Sequence, residues 1–172
     1  MSATDVDAHL LGQYTLDIME QVNAPLSNVR KQVLAQAIVE VTTNVFTELE
    51  HRKAFVNIIA IESRFLKYAQ SPTGPKGLTQ VAKAAFREGL SYCGITDVSD
   101  DDVWETILNL YAGACYYRRL LDVYQDTGKA AVAYNQGPNS THAKSYAASG
   151  DLRNEEALRY IAKFTYLTQT RP

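Results

Sequence analysis

The residues most able to do chemistry in this chain lie between Phe55 and Leu66, in the run Phe55-Val56-Asn57-Ile58-Ile59-Ala60-Ile61-Glu62-Ser63-Arg64-Phe65-Leu66. If the run is helical, Phe55, Ile58, Ile59, Glu62, Phe65 and Leu66 fall on one stripe, which places a carboxylate on an apolar face. Burial disfavours the ionised form of a carboxyl and raises its pKa, as a general acid working near neutral pH requires. Glu62 is therefore the candidate acid. The same position also suits a glutamate at the rim of a core, reaching solvent or pairing with Arg64, because structural ion pairs perturb pKa values too.

No other chemistry competes. His9, His51 and His142 are scattered without metal-ligand spacing, and neither a phosphate-binding glycine loop nor a Gly-x-Ser-x-Gly elbow occurs. Neither a metal nor a cofactor is expected. The acidic stretch Asp97, Asp100, Asp101 and Asp102 reads as solvated residues and helix caps, not as catalytic groups. Cys93 and Cys115 could pair in principle, but Cys115 lies in a strongly helical pattern and nothing in the sequence fixes their separation. Both are read as reduced.

The elements that must position Glu62 are helical. Apolar residues recur at helical spacing almost throughout, and β-type alternation is nearly missing, so the fold class is mainly α. A first helix spans about Ala8 to Val22, and Ser27 caps a second that carries Val33, Ala37, Val41 and Val45 on one face. The Glu62 helix runs from Lys53 to Tyr68 and ends in the loop formers Gln70 to Gly77. A short helix from Gly77 to Gly89 follows, then a long one from Asp102 to Asp126. The latter puts Val103, Ile107, Leu110, Ala114, Tyr117, Leu121 and Tyr124 on one face. Tyr134 to Ser140 reads as a helix end and loop, and a last helix runs from about Glu155 to Leu167.

With 172 residues the chain can bury a core as one ordinary domain. A net charge of -2 without a Lys/Arg stripe excludes the electrostatic footprint of a nucleic-acid binder. No segment reaches the roughly 18 apolar residues needed to span a bilayer. The opening Met-Ser-Ala-Thr-Asp-Val-Asp lacks the basic and apolar regions of a secretory signal.

Several short motifs also occur in a telling order: Glu62-Ser63, Ser71 with Gly74, Gly77-Leu78-Thr79-Gln80, Asn109 with Gly113 and Tyr116, Ala133-Tyr134-Asn135-Gln136-Gly137-Pro138, and Tyr160. This order resembles the soluble lytic transglycosylase family, with its lysozyme-like fold, from about Phe55 to Leu167. The resemblance divides the chain into an N-terminal helical extension, 1–50, and a catalytic domain, 51–172. It implies cleavage of the β-1,4 bond between N-acetylmuramic acid and N-acetylglucosamine in peptidoglycan glycan strands, with ring closure to a 1,6-anhydromuramic end. Glu62 would protonate the glycosidic oxygen and then take the proton of the muramic O6 hydroxyl as that oxygen attacks C1. The substrate's N-acetyl group would stabilise the intermediate, so no protein nucleophile is required. Consistently, the sequence offers no convincing second carboxylate of the kind ordinary glycosidases hold roughly 5 to 9.5 Å from the first.

By the same resemblance Ser71 and Gln80 hold sugar near the acid, Tyr134 and Asn135 line the groove, and Tyr160 hydrogen-bonds or shields the acid. Gly113 and Tyr116 are expected to be structural, for close helix packing and core filling. Thr79 stands where the family usually has Met, and Pro75 where it commonly has Ala, so the groove floor and its loop are expected to differ. Three other outcomes stay open on the residues alone: a hydrolytic muramidase, a non-catalytic wall-binding or virion structural protein, and an all-α interaction protein whose motif matches are chance and whose Glu62 would be exposed. A wall-cutting enzyme without an export signal suits a bacteriophage virion component acting in the periplasm during genome ejection. The alternative is a factor exported by a dedicated secretion machine. The N-terminal helices would then anchor it to other virion proteins or to copies of itself.

Overall fold

A computed structural model of the chain describes residues 3–169. Eight α-helices follow one another among the described residues: α1 (Ala3–Gln21), α2 (Asn28–Val45), α3 (Leu49–Ser63), α4 (Lys83–Tyr92), α5 (Thr106–Tyr124), α6 (Thr127–Gln136), α7 (Thr141–Ser149) and α8 (Glu155–Gln169). Helix α5 is the central post. It packs against α2, α4 and α6, while α3 is held by α1 and α8. The mainly α architecture is the one the periodicity predicts, and α7 is a helix that the sequence reading left within a loop.

Ser27 caps α2 as expected, its side chain accepting from the Arg30 N–H. The buried face of α2, however, is Ala35, Ile38, Val41 and Val45; Val33 is 65% exposed, so the expected stripe is rotated at its N-terminal end. The α5 stripe has a similar exception in Ile107, which is 44% exposed. The Asp residues before α5 act as proposed: Ser99 and Asp102 form a reciprocal capping box on a 3-10 turn, Asp100–Trp104. Asp100 is held by Lys83 and Arg87 at 2.6 and 2.7 Å.

Several predicted helices change their bounds, α5 for example starting at Thr106 instead of Asp102, and two of the changes shape the site. The Glu62 helix stops at Ser63 instead of Tyr68, because Arg64 and Phe65 adopt left-handed backbone with φ of 52° and 65°. That conformation is costly for non-glycine residues, and it is offset here on both sides of the turn. Phe65 swings into the core at 1% exposure, and Arg64 donates through Nε and Nη2 to the carbonyls of Val22 and Asn23 at 3.1 and 2.6 Å. The expected Gly77–Gly89 helix starts only at Lys83. Thr79 instead gives its backbone N–H and its hydroxyl to Asn109 of α5, at 3.0 and 2.9 Å to Oδ1. Asn109, 1% exposed, also donates to the Val103 and Lys76 carbonyls. Tertiary hydrogen bonds thus hold residues 77–82 as a turn where local propensity favours helix.

The cysteines are also corrected. Cys93 caps the C-terminus of α4 and is disulfide-bonded to Cys115 within α5, with Cα atoms 5.9 Å apart. The pairing follows from how closely the two helices approach. A Cβ on Gly89, one turn before Cys93, would lie 2.2 Å from the Ala112 carbonyl oxygen, so only glycine permits this contact. A helical register in α5 is therefore no obstacle to pairing, because α4 delivers its last turn directly onto it.

Candidate active site

Glu62 sits in the last turn of α3, at the junction of two recesses of about 510 and 460 Å³ that share Glu62, Asn135 and Glu156. Together they form a polar groove on either side of one carboxyl. Three segments supply the first recess. The loop after α3 brings Ser71, Thr73 and Pro75; the turn before α4 brings Gln80, Val81 and Ala82; the end of α6 brings Tyr134, Asn135 and Gln136. Tyr116 of α5 completes it. The second is lined by Ile61, Tyr160 and the charged side chains Glu155, Arg159 and Lys163 of α8. A larger recess of about 680 Å³, between α2 and residues 65–69, is mostly apolar, and Arg30 and Lys67 are the charged residues lining it. It holds no candidate acid.

Burial pushes the Glu62 carboxyl up to about 7, and the charge of Glu156 adds to the rise. Tyr160 acts in the opposite sense, as a donor towards the carboxylate. Its Oη is buried and closes no regular hydrogen bond, so the contact with Glu62 is a near approach and not a full bond. The Tyr160 phenol is itself held well above its ordinary range, first by burial and then by the Glu62 charge, and stays a neutral donor. Arg64 points away to the α1–α2 turn, which removes it as an ion-pair partner of Glu62. Near neutral pH the site therefore holds a carboxyl that can both give and take a proton.

All six residues singled out from the sequence meet at this groove, though in different capacities. Ser71 pairs its hydroxyl with Thr73 at 2.9 Å in the loop wall. Gln80, at φ 49°, gives both amide hydrogens to the loop, donating to the Ala69 and Gly77 carbonyls at 2.8 and 2.9 Å. Its carbonyl oxygen is the atom left for the groove. Tyr134 is buried, and its hydroxyl donates to the Thr79 carbonyl at 2.8 Å, so it offers the groove a ring face and ties α6 to the turn. Asn135 accepts from Gln136 at 2.6 Å, which leaves its amide N–H groups to donate.

Among the groove residues that the sequence did not single out as such are Tyr116 and Glu156. Tyr116, taken as core filler, lines the groove while packing edge-on to Tyr134 at 5.5 Å between ring centroids. Glu156 is a further carboxylate of the groove, lining both recesses while Glu155 lines the second, where the sequence had offered none. Its signal was available, since a residue four before Tyr160 shares that residue's face of α8.

Against this geometry the comparisons with known proteins are decisive on family. Residues 49–156, well over half of the chain, match the transglycosylase SLT domain. The chain belongs to that family. Among curated proteins it is similar to the peptidoglycan transglycosylase gp16 of Escherichia phage T7, 42% identical over 78 residues. Those residues make up 44% of this chain and 6% of the phage protein, so the match spans a small part of that relative's length. The SLT match covers Glu62, the loop, the turn, α6 and only the first two residues of α8, Glu155 and Glu156, and the helical lysozyme-like fold is that of the family.

Proposed function

We propose that this chain is a lytic transglycosylase of the bacterial cell wall, cleaving the bond between N-acetylmuramic acid and N-acetylglucosamine and closing a 1,6-anhydro ring on the muramic side. The observation that carries this is Glu62: a largely buried carboxyl, raised to about 7, at the junction of two polar recesses in an SLT domain. Protonated, it gives its proton to the glycosidic oxygen as the C1–O bond breaks. As carboxylate it then removes the proton of the O6 hydroxyl, and the O6 lone pair forms the new bond to C1. Atoms balance without water, and Glu62 ends as it began.

In this reading Ser71, the Gln80 carbonyl oxygen and the Asn135 amide bind the sugar hydroxyl and N-acetyl groups on one side of Glu62. Tyr134 presents an apolar ring to a sugar face, and Tyr160 steadies the carboxylate when it forms. A second reading has one observation in its favour: Glu156 lines the same groove and could direct a water to C1, giving hydrolysis instead of ring closure.

Residues 1–50 are read as a helical extension packed on a catalytic domain of residues 51–172. The likeness to a phage peptidoglycan transglycosylase supports a virion-associated protein acting locally on the wall in the periplasm during genome ejection. The N-terminal helices would be its attachment to virion partners or to further copies. No helix among the described residues is long and apolar enough to cross a membrane.

Digestion of purified peptidoglycan by the wild type and Glu62→Gln, with mass spectrometry of the released muropeptides, tests the proposal. Anhydromuramic ends from the wild type alone support it. Reducing ends move the assignment to hydrolysis, and no products from a folded wild type on accessible glycan reject the enzyme reading.

A further inference from the structure

The Cys93–Cys115 disulfide is placed where it bears on the groove. Cys115 precedes Tyr116, whose ring lines the groove against Tyr134, and Cys93 ends the helix whose opposite end, with Ala82 and Ala85, forms the facing wall. Phe86 and Leu90 of α4 are buried in the core that α5 shares, and three further contacts lie along the α4–α5 seam. Gly89 rests on the Ala112 carbonyl, Glu88 pairs with Arg119 at 2.8 Å, and the Tyr92 hydroxyl donates to Asp122. The ion pair and the tyrosine hydrogen bond are both surface exposed and contribute little on their own. Gly89 allows close approach but makes no attraction. The disulfide is the one covalent link of a seam that the buried Phe86 and Leu90 also hold, and it fastens to α5 the end of α4 opposite Ala82 and Ala85.

We propose that Cys93–Cys115 is a redox latch on the sugar groove, which in the oxidised protein fixes the α4 wall against Tyr116 and in the reduced protein releases it. The latch rests on the glycan-cleaving reading given above. Its chemistry is thiol–disulfide exchange with an oxidant of the disulfide class. The Cys93 thiolate attacks the oxidant's disulfide, one oxidant thiol leaves, and Cys115 as thiolate then displaces the second. Two cysteine thiols and one disulfide become one protein disulfide and two thiols, with the two electrons on the oxidant. Exchange begins at Cys93, which is partly exposed at the helix end, whereas Cys115 is wholly buried. A protein made in a reducing cytosol would thus carry a loose groove, and one delivered to an oxidising compartment a closed one. Cys93 and Cys115 act through the wall as positioning residues; Glu62, on α3, lines the same recess as Tyr116, Ala82 and Ala85, and the latch leaves its proton chemistry in place.

The test uses the full chain in three forms: oxidised, reduced with dithiothreitol, and Cys93→Ser/Cys115→Ser, all at a temperature where circular dichroism shows each folded. Hydrogen exchange followed by mass spectrometry reads the wall directly, and steady-state cleavage of solubilised glycan strands reads its effect. The expected result is faster exchange in residues 82–92 and around Tyr116 on reduction. It is accompanied by a KM for glycan about tenfold higher, with an unchanged pH limb. Glutathione disulfide should restore the wild type and not the double serine variant. A lower melting temperature with exchange at the wall and KM unmoved would show a merely structural bond and overturn the latch. So would alkylation of both cysteines in the protein prepared under oxidising conditions. Redox-dependent exchange at the wall in a protein that never cuts glycan would sustain the latch while rejecting the proposed substrate, so the two failures are distinguishable.

Discussion

The Tyr160 hydroxyl on α8 approaches the Glu62 carboxyl on α3 without a protein partner of its own, and the two shift each other's ionisation. Tyr160 lowers the Glu62 pKa, whereas Glu156, one turn earlier on α8, raises it. Removing either should therefore move the pH profile in opposite directions. Since cleavage begins from protonated Glu62, kcat/KM of the wild type should fall as pH rises through about 7. Tyr160→Phe should carry that limb to higher pH and Glu156→Gln to lower pH. Rate profiles of the three proteins on the same glycan check this; a common limb would mean that α8 does not tune the acid.

Glu62→Gln keeps the size and polarity of the side chain but cannot exchange a proton at these pH values. Because one group serves as both acid and base, its loss should reduce turnover by at least the roughly 10²- to 10⁴-fold typical of a general acid–base residue. Binding of an N-acetylglucosamine oligomer, measured by calorimetry, should survive. Retained turnover would transfer the proton chemistry to another residue, with Glu156 the first to examine.

The same carboxyl should cost stability. Its pKa is raised from 4.5 to about 7 on folding, so between those values the native state binds more protons than the unfolded one. Stability contributed by keeping Glu62 protonated is then complete below about 4.5 and lost as pH rises through about 7. A shift of this size corresponds to about 3 kcal/mol. Glu62→Gln should accordingly be more stable than the wild type at pH 8 by up to about that amount, with the difference shrinking towards pH 5. Urea unfolding at the two pH values measures it. Equal stability at both would argue that the carboxyl is well solvated.

Much of this site was legible because its determinants are local. Glu62 on an apolar stripe, Ser27 as a cap and the loop formers after residue 69 each announce themselves within a few positions. Tyr134, Asn135 and Tyr160 could be brought to the same groove only through the order of family motifs, since nothing local says that α6 and α8 converge on α3. The features that were missed depend on contacts far apart in sequence. Helix α3 ends early because Arg64 bonds to the α1–α2 turn, residues 77–82 are unwound by Asn109, and Cys93 meets Cys115 because Gly89 lets α4 settle on α5. Tyr116 was expected to be a core-filling residue, and it does pack there. One face of the same ring also serves the groove, which periodicity alone cannot resolve.

Asn109 and Gly77 provide the sharpest test of how the groove floor is held. Asn109 is almost fully buried and bonds through its side chain to Thr79, Lys76 and Val103, so it ties the turn to α5 and to the approach to that helix. Asn109→Ala leaves those buried groups without partners and should cost about 2–4 kcal/mol, near one to two unsatisfied groups. It should also reduce cleavage, because the Thr79 carbonyl that receives the Tyr134 hydroxyl moves with the turn. Gly77 has φ 79°, and a Cβ there would lie 2.3 Å from Asn109 Nδ2. Gly77→Ala therefore carries two penalties, about 1–2 kcal/mol for left-handed backbone and about 1–3 kcal/mol for the collision. Shortening Asn109 to alanine removes the collision but not the backbone strain. In a double-mutant cycle the pair should be less destabilised than the sum of the singles, by about the collision energy. Simple additivity in urea melts would mean that the turn relaxes away from Asn109 when a methyl group is added, and that Asn109 does not fix its position.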